Sequence, residues 1–74
     1  MDLDRSVPVW PQVRDELRRR IDAGTYAAGE RFPAVNDLAA EFEVAPSTIQ
    51  KAVAALRAEG RLRTVLGQGS FVTD

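Results

Sequence analysis

The sequence predicts a small, mainly α-helical domain with one β-hairpin, in the element order of a winged helix-turn-helix. Three segments carry apolar residues at helical spacing, and each has a proline at or near its start. After Gly60 the apolar pattern changes to alternation, which is typical of a strand. We therefore predict three helices and a hairpin, or wing, within residues 10–74. Residues 1–9 lack periodicity and are expected to form a flexible N-terminal arm.

The first helix is predicted to begin near Pro11 and to end at Gly24, which favours a left-handed conformation. Its buried stripe recurs at every fourth position: Val13, Leu17 and Ile21. Asp15 and Glu16 precede Arg19 and Arg20 by four residues, a spacing that favours ion pairs. We therefore interpret the arginine run at 18–20 as a solvated helix face rather than a phosphate-binding patch.

Residues 25–26 favour a short strand, and residues 28–30 indicate a turn. Residues 33–53 then have the spacing of two helices joined by a tight turn at 43–45, with the second of them spanning about 46–59. The residues expected to pack the two helices together are Leu38, Ala39, Phe42, Val44, Ile49, Ala52, Val53 and Leu56. In a helix-turn-helix the second helix enters the major groove of DNA.

The predicted hairpin has strands at 61–66 and 70–73, joined by Gly67, Gln68 and Gly69. This hairpin completes a winged helix-turn-helix. The aromatic residues Trp10, Tyr26, Phe42 and Phe71 are expected to pack in or around the core rather than to stack on bases.

Composition limits the possible functions. The 74 residues are enough for one domain and include neither cysteine nor histidine. Disulfides, thiolate metal sites and histidine general bases are therefore absent, so we expect no cofactor, no metal site and no enzymatic activity. The acidic N-terminus is unlike a signal peptide, and no apolar run has the length of a membrane span. A cytoplasmic protein is the expectation.

The net charge of −1 is unevenly distributed along the chain. Residues 44–73 carry four basic residues and one acid, a net charge of +3, whereas residues 1–43 carry six arginines and nine acids, a net charge of −3. The basic half therefore contains the helix that is predicted to enter DNA.

The chain resembles the N-terminal DNA-binding domain of the GntR family of bacterial transcription regulators. The resemblance covers residues 10–73 and rests on an ordered set of residues. The set is Trp10, Gln12, Ile21-Asp22-Ala23-Gly24, Tyr26, Gly29-Glu30, Phe32-Pro33, Asp37-Leu38-Ala39, Thr48-Ile49, Lys51-Ala52, Leu56, Glu59-Gly60, Gly67, Gly69 and Phe71-Val72.

This resemblance implies DNA contacts from the start of both helices of the motif and from the wing tip, which would enter the minor groove. With the neighbouring arginines, the candidate residues are Arg31, Asn36, Pro46, Ser47, Thr48, Gln50, Lys51, Arg63, Gly67, Gln68 and Gly69. We expect Ser47 and Thr48 to bind phosphate at the helix N-terminus, although either hydroxyl could serve as a local cap. The amide of Gln50 can pair with adenine, and Lys51 is expected to bind phosphate. Arg57 and Arg61 rank behind Arg31 and Arg63, since each could be a solvated surface charge.

Several residues depart from the family pattern. Ala34 and Ala45 stand where relatives often have a capping serine, and Glu43 stands where glycine is usual. Asn36, Pro46 and Gln50 stand where arginine is common, and Thr64, Val65 and Gln68 where basic residues are common. The base preference of other members therefore cannot be transferred to this chain.

We expect sequence-specific binding of double-stranded DNA by a transcription regulator that represses by occluding a promoter. The alternative is a winged-helix protein-interaction module with weak DNA binding or none. A symmetric operator would imply a homodimer on DNA. The resemblance also implies a larger effector-sensing domain in relatives, with no such domain expected within these 74 residues, whether the chain is a natural short regulator or part of a longer one.

Overall fold

In the computed structural model, which describes residues 2–73, three helices and a two-stranded antiparallel hairpin follow one another along the chain. The elements are α1 (Trp10–Asp22), α2 (Val35–Phe42), α3 (Pro46–Ala58), β1 (Leu62–Val65) and β2 (Gly69–Val72). The predicted winged helix-turn-helix is confirmed. Met1 of the predicted arm and Asp74 at the end of the predicted domain lie outside the described residues.

One apolar core joins all three helices to the hairpin. Val13 and Leu17 of α1 are fully buried, and α1 packs against α3. The buried residues of the other elements are Phe32, Leu38, Ala39, Phe42, Ile49, Ala52, Val53, Leu56, Leu62 and Val72. The predicted stripes therefore face inward, except that Ile21 at the end of α1 and Val44 in the turn before α3 are only partly buried. Phe32, which no helical or alternating pattern identified as core, is 3% exposed and meets Tyr26 edge-on.

The turn between α2 and α3 contains a left-handed residue that is not glycine. Glu43 has φ 56° and ψ 49°, and the N–H of Val44 donates to the carbonyl of Ala39 at 3.0 Å. The arm closes over this turn. The guanidinium of Arg5 donates to the carbonyls of Phe42 and Glu43 at 3.1 and 3.2 Å, so it satisfies oxygens that the end of α2 leaves free.

The arm also lies against α1. The side-chain amide of Gln12 accepts from the backbone N–H of Asp4 and donates to its carbonyl, both at 2.8 Å. Leu3 packs against the core. The flexibility of the arm stays a prediction, but residues 3–5 have defined partners.

The segment at Arg31 and Phe32 pairs with the edge of the hairpin. Leu62 pairs with Val72 and Val65 with Gly69 in the β1–β2 register. On the other side of β2, Arg31 forms an isolated bridge with Phe71, and the N–H of Phe32 donates to the backbone carbonyl of Ser70 at 2.8 Å. The segment before α2 is therefore fixed to the wing.

The strand predicted at 25–26 is wrong. Gly24 adopts the predicted left-handed conformation, with φ 81°, and the N–H of Thr25 donates back to the carbonyl of Arg20 at 2.9 Å. The backbone N–H of Thr25 therefore caps the C-terminus of α1, and residues 25–26 form a bend instead of a strand. The sheet contact comes six residues later, at Arg31, after the turn predicted at 28–30.

The arginine run of α1 is neutralised by acids, as predicted, although not all through the predicted pairs. Glu16 contacts both Arg19 and Arg20, at 2.8 and 2.9 Å. Arg18 binds Glu59 at the end of α3 with two hydrogen bonds, and Asp15 pairs with Arg14 and Arg18 rather than with Arg19. The pair formed by Arg18 and Glu59 therefore ties α1 to the end of α3.

Candidate nucleic-acid interface

The start of α3 presents three of the candidate polar residues to solvent. Ser47, Gln50 and Lys51 are exposed, whereas Thr48 is half-buried. Pro46 is the first residue of the helix, and the preceding Ala45 makes no side-chain cap. No side chain therefore caps the start of α3, and the positive end of the helix dipole stays accessible.

Asn36 lies in the first turn of α2 and is exposed. Ala34 is the N-cap of this helix and likewise makes no side-chain hydrogen bond. Neither N-cap side chain therefore binds a backbone N–H. In α3, Pro46 has no N–H and that of Thr48 donates to the carbonyl of Ala45 at 3.0 Å, which leaves the N–H of Ser47 for a phosphate.

The wing tip is narrow and fully exposed. Gly67 and Gln68 lie in the turn, which the N–H of Gln68 closes by donating to Val65 at 2.9 Å. Gly69 has φ +102°, and a β-carbon placed there would lie 3.5 Å from the Nε of Arg31. Glycine at 69 therefore allows the positive φ, whereas a β-carbon would make only an ordinary contact with Arg31.

Arg63 lies on the outer face of the hairpin. It is exposed, and its guanidinium carbon lies 5.3 Å from the ring centre of Phe71, the residue opposite it in the register. Stacking on the ring holds the cation near the wing without neutralising it.

Two adjoining grooves run between α3, the wing and the start of α2. The first contains Arg31, Asp37 and the Phe32–Val35 segment, and the second contains Gln50, Ala54, Arg57 and Thr64. The two share Val35, Val53, Gly69 and Ser70. Among the candidate residues, the grooves bring together Arg31, Gln50 and Gly69. The other candidates lie outside the grooves: Asn36, Pro46, Ser47, Thr48, Lys51, Arg63, Gly67 and Gln68.

Besides Val35 and Val53, the second groove contains four residues outside the candidate set: Ala54, Thr64, Ser70 and Arg57, the last of which the sequence ranked behind Arg31 and Arg63. Ala54 and Arg57 follow Gln50 at i+4 and i+7, so helical spacing alone places them on the side of α3 that carries Gln50. Thr64 and Ser70 are paired across the hairpin. The period of each element could therefore have found these residues, once the wing was known to lie beside α3.

The basic residues divide into two groups according to their partners. Arg14, Arg18, Arg19, Arg20 and Arg61 each contact a carboxylate, and Arg5 binds the carbonyls at the end of α2. Hydrogen bonds from Arg18 lower the pKa of Glu59, so this pair stays ionised at neutral pH. The basic residues that have neither an ion pair nor a hydrogen-bonded carbonyl within residues 2–73 are Arg31, Lys51, Arg57 and Arg63. All four belong to α3, the hairpin or the segment bridged to it, so the free positive charge is on the wing side.

Residues 2–73 hold no group of three or more acidic side chains arranged to bind a metal ion. None of the helices there combines the length and apolar character needed to cross a membrane.

Comparison with known proteins agrees with this geometry. Residues 11–72 match the model of the bacterial regulatory proteins of the gntR family. A probable fructoselysine utilization operon transcriptional repressor of Escherichia coli is 38% identical over 64 residues, which are 86% of this chain but 26% of that protein. The chain therefore spans about a quarter of the length of this relative.

Solved structures show the same fold. A GntR family transcriptional regulator from Listeria monocytogenes superposes with a TM-score of 0.90 at 38% identity, over 96% of this chain and 62% of that one. The DNA-binding domain of AraR, solved in complex with operator ORR3, superposes with a TM-score of 0.83 at 31% identity, over 99% and 90% of the two chains. By sequence and by structure, this chain belongs to the GntR family of bacterial regulatory proteins.

Proposed function

We propose that this chain is a transcription regulator's DNA-binding domain, which binds double-stranded DNA sequence-specifically and represses by covering a promoter in the cytoplasm. The start of α3 enters the major groove, and the wing tip enters the adjacent minor groove. Relatives support this assignment, because the AraR domain was solved on an operator and the Escherichia coli relative is named as a probable repressor.

The observation that carries the proposal is the segregation of free charge. The basic residues with neither an ion pair nor a hydrogen-bonded carbonyl among the described residues are all on the side formed by α3 and the wing. The net charge of −1 does not describe this side of the protein, because arginines elsewhere in residues 2–73 already pair with Asp15, Glu16, Asp22, Glu41 and Glu59. Phosphate neutralisation by a few cations supplies affinity that does not depend on sequence.

The candidate residues contact different parts of the DNA. Gln50 contacts a base edge, and Ser47, Thr48 and Lys51 bind phosphates beside it. Asn36 and Pro46 border this contact at the helix starts. Arg31 and Arg63 flank the wing, and Gly67, Gln68 and Gly69 let its tip approach the minor groove closely.

Selection of bound sequences from a pool of random duplex DNA tests the proposal. We expect enrichment of a defined motif, with log affinity falling against log salt concentration at a slope of roughly −3 to −5, from about 3–6 phosphate contacts. A pool that remains unenriched, or a slope near zero, would contradict DNA binding and favour a protein-interaction module.

We further propose that two chains bind one operator as a homodimer. A helix-turn-helix dimer reads half-sites about one helical turn apart. Measuring the mass of the complex with the selected duplex gives the stoichiometry. Two chains on a symmetric site support the dimer, and one chain on an asymmetric site contradicts it.

A further inference from the structure

Arg57 lies in the groove between α3 and the wing, beyond the residues that the motif and the family resemblance place on DNA. It is exposed and follows Gln50 by two turns on the same side of α3. Thr64 and Ser70 line the opposite side of the groove. The stripe that begins with Gln50 thus continues along α3 toward the strands of the wing.

The charge of Arg57 is available to a ligand. Among the described residues that line this groove, Arg57 carries the one charged side chain. It forms no ion pair within residues 2–73, whereas Arg61, the next arginine along the chain, is paired with Asp22. The two arginines that the sequence could not separate therefore differ in the structure.

The other groove residues suit a phosphate beside this cation. Thr64 and Ser70 are opposite one another in the hairpin register, and each hydroxyl can donate a hydrogen bond. Ala54 is small and exposed, so it leaves the approach between Gln50 and Arg57 open. An arginine with neighbouring hydroxyl donors is a common phosphate-binding arrangement.

We propose that Arg57, together with Thr64 and Ser70 across the groove, binds one phosphate of the DNA backbone. This assignment rests on the proposed DNA binding and extends its contact surface from the start of α3 to its last turn. Thr64 of β1 carries no charge. Arg57 faces the same phosphate from α3 and supplies the positive charge there.

The test measures salt dependence with the duplex selected by the unmodified protein. For R57Q we expect the slope of log affinity against log salt to become shallower by about 0.9, with affinity falling about five- to tenfold near 0.1 M salt. R57K should keep the slope, since it keeps the charge. Base preference should not change in either variant, because the contact is to the backbone.

R61Q is the matched control, since it removes the same charge from the chain but at a residue already paired with Asp22. We expect its slope to stay within about 0.3 of the unmodified slope. Circular dichroism of each variant verifies that the fold is retained. A second experiment moves the charge across the groove in the double variant R57Q/T64R, which should regain the slope of the unmodified protein.

Each outcome decides the assignment. An unchanged slope for R57Q, or an equal loss for R61Q, would overturn the contact while leaving DNA binding intact. Failure of R57Q/T64R to regain the slope would overturn the shared phosphate. If the unmodified protein bound no duplex, the proposed function would fail together with the contact.

Discussion

Gln50 and Lys51 are neighbours on α3 but offer DNA different chemistry. The amide of Gln50 has one donor and one acceptor in fixed positions, which match adenine in the major groove. Lys51 presents a compact charge on a flexible stem, which suits a phosphate and carries little sequence information. Both side chains are exposed, so either can be removed without opening the core.

We therefore expect Q50A and K51A to weaken binding in distinguishable ways. Q50A should lose about 1–3 kcal/mol of discrimination at one base pair, while K51A should weaken all duplexes evenly and reduce the salt slope by about 0.9. Titration of the selected duplex and its single-base variants at several salt concentrations measures both. A Q50A variant with undiminished base preference would remove Gln50 from the reading surface.

Glu43 is a left-handed residue with a β-carbon, and its φ of 56° is therefore strained. We expect E43G to raise the free energy of unfolding by about 0.5–1 kcal/mol, because glycine relieves this strain but gains freedom in the unfolded chain. Urea unfolding measures the change. E43A is the control, since alanine keeps the strain and removes the carboxylate. Equal stabilisation by E43A would attribute the effect to charge instead of backbone conformation.

At the scale of elements, the start of α3 lacks a side-chain cap because Ala45 occupies the N-cap position. We expect A45S to raise the free energy of unfolding by about 1 kcal/mol, or the melting temperature by about 4–8 °C, because serine can accept from a free N–H. A40S is the matched control, because it makes the same change at an exposed position inside α2. If A45S melted no higher than A40S, capping would not account for its effect.

The elements also show what could be predicted from the sequence and why the rest could not. The helices were predictable because stripes such as Val13–Leu17 and Ile49–Ala52–Val53–Leu56 follow the period of a buried helix face. Phe32 lies between elements, so no period identifies it as core. The strand expected at 25–26 failed because local β preference competed with the hydrogen bond from Thr25 that ends α1.

The sequence likewise predicted some residues of the candidate interface and could not predict others. The motif located Gln50, but nothing local to the sequence indicates that Arg57 lies across a groove from Thr64. Nor does it indicate that Arg5 reaches the carbonyl of Phe42, 37 residues away. Ion pairing separates Arg57 from Arg61, and that difference depends on Asp22 being brought beside Arg61 by the packing of α1. Contacts between distant segments are what the pattern of residues leaves open.

Across the whole molecule, charge is partitioned between a paired side and an unpaired side. On the paired side, Glu16 contacts two arginines and its side chain is 13% exposed. Hydrogen bonding to Arg19 is the largest influence that lowers the pKa of Glu16, to about 2 from 4.5. Arg20 also contacts Glu41 at 2.5 Å and lies over the ring of Phe42, so this cluster joins α1 to α2.

Acid should therefore weaken the fold through Glu16. Because its pKa is lower in the folded state, the unfolded chain binds more protons between pH 4.5 and about 2. The contribution of Glu16 to stability is complete above pH 4.5 and is lost as the pH falls through this window. We expect E16Q to cost about 1 kcal/mol at pH 7 and progressively less toward pH 2. Urea unfolding across this range measures both curves.

D2N is the control, because it alters an exposed carboxylate without an ion pair in the described residues. The stability of D2N should follow the same pH dependence as that of the unmodified protein. Curves for E16Q and the unmodified protein that stayed equally far apart at every pH would show that Glu16 stabilises the fold by packing and not by its charge.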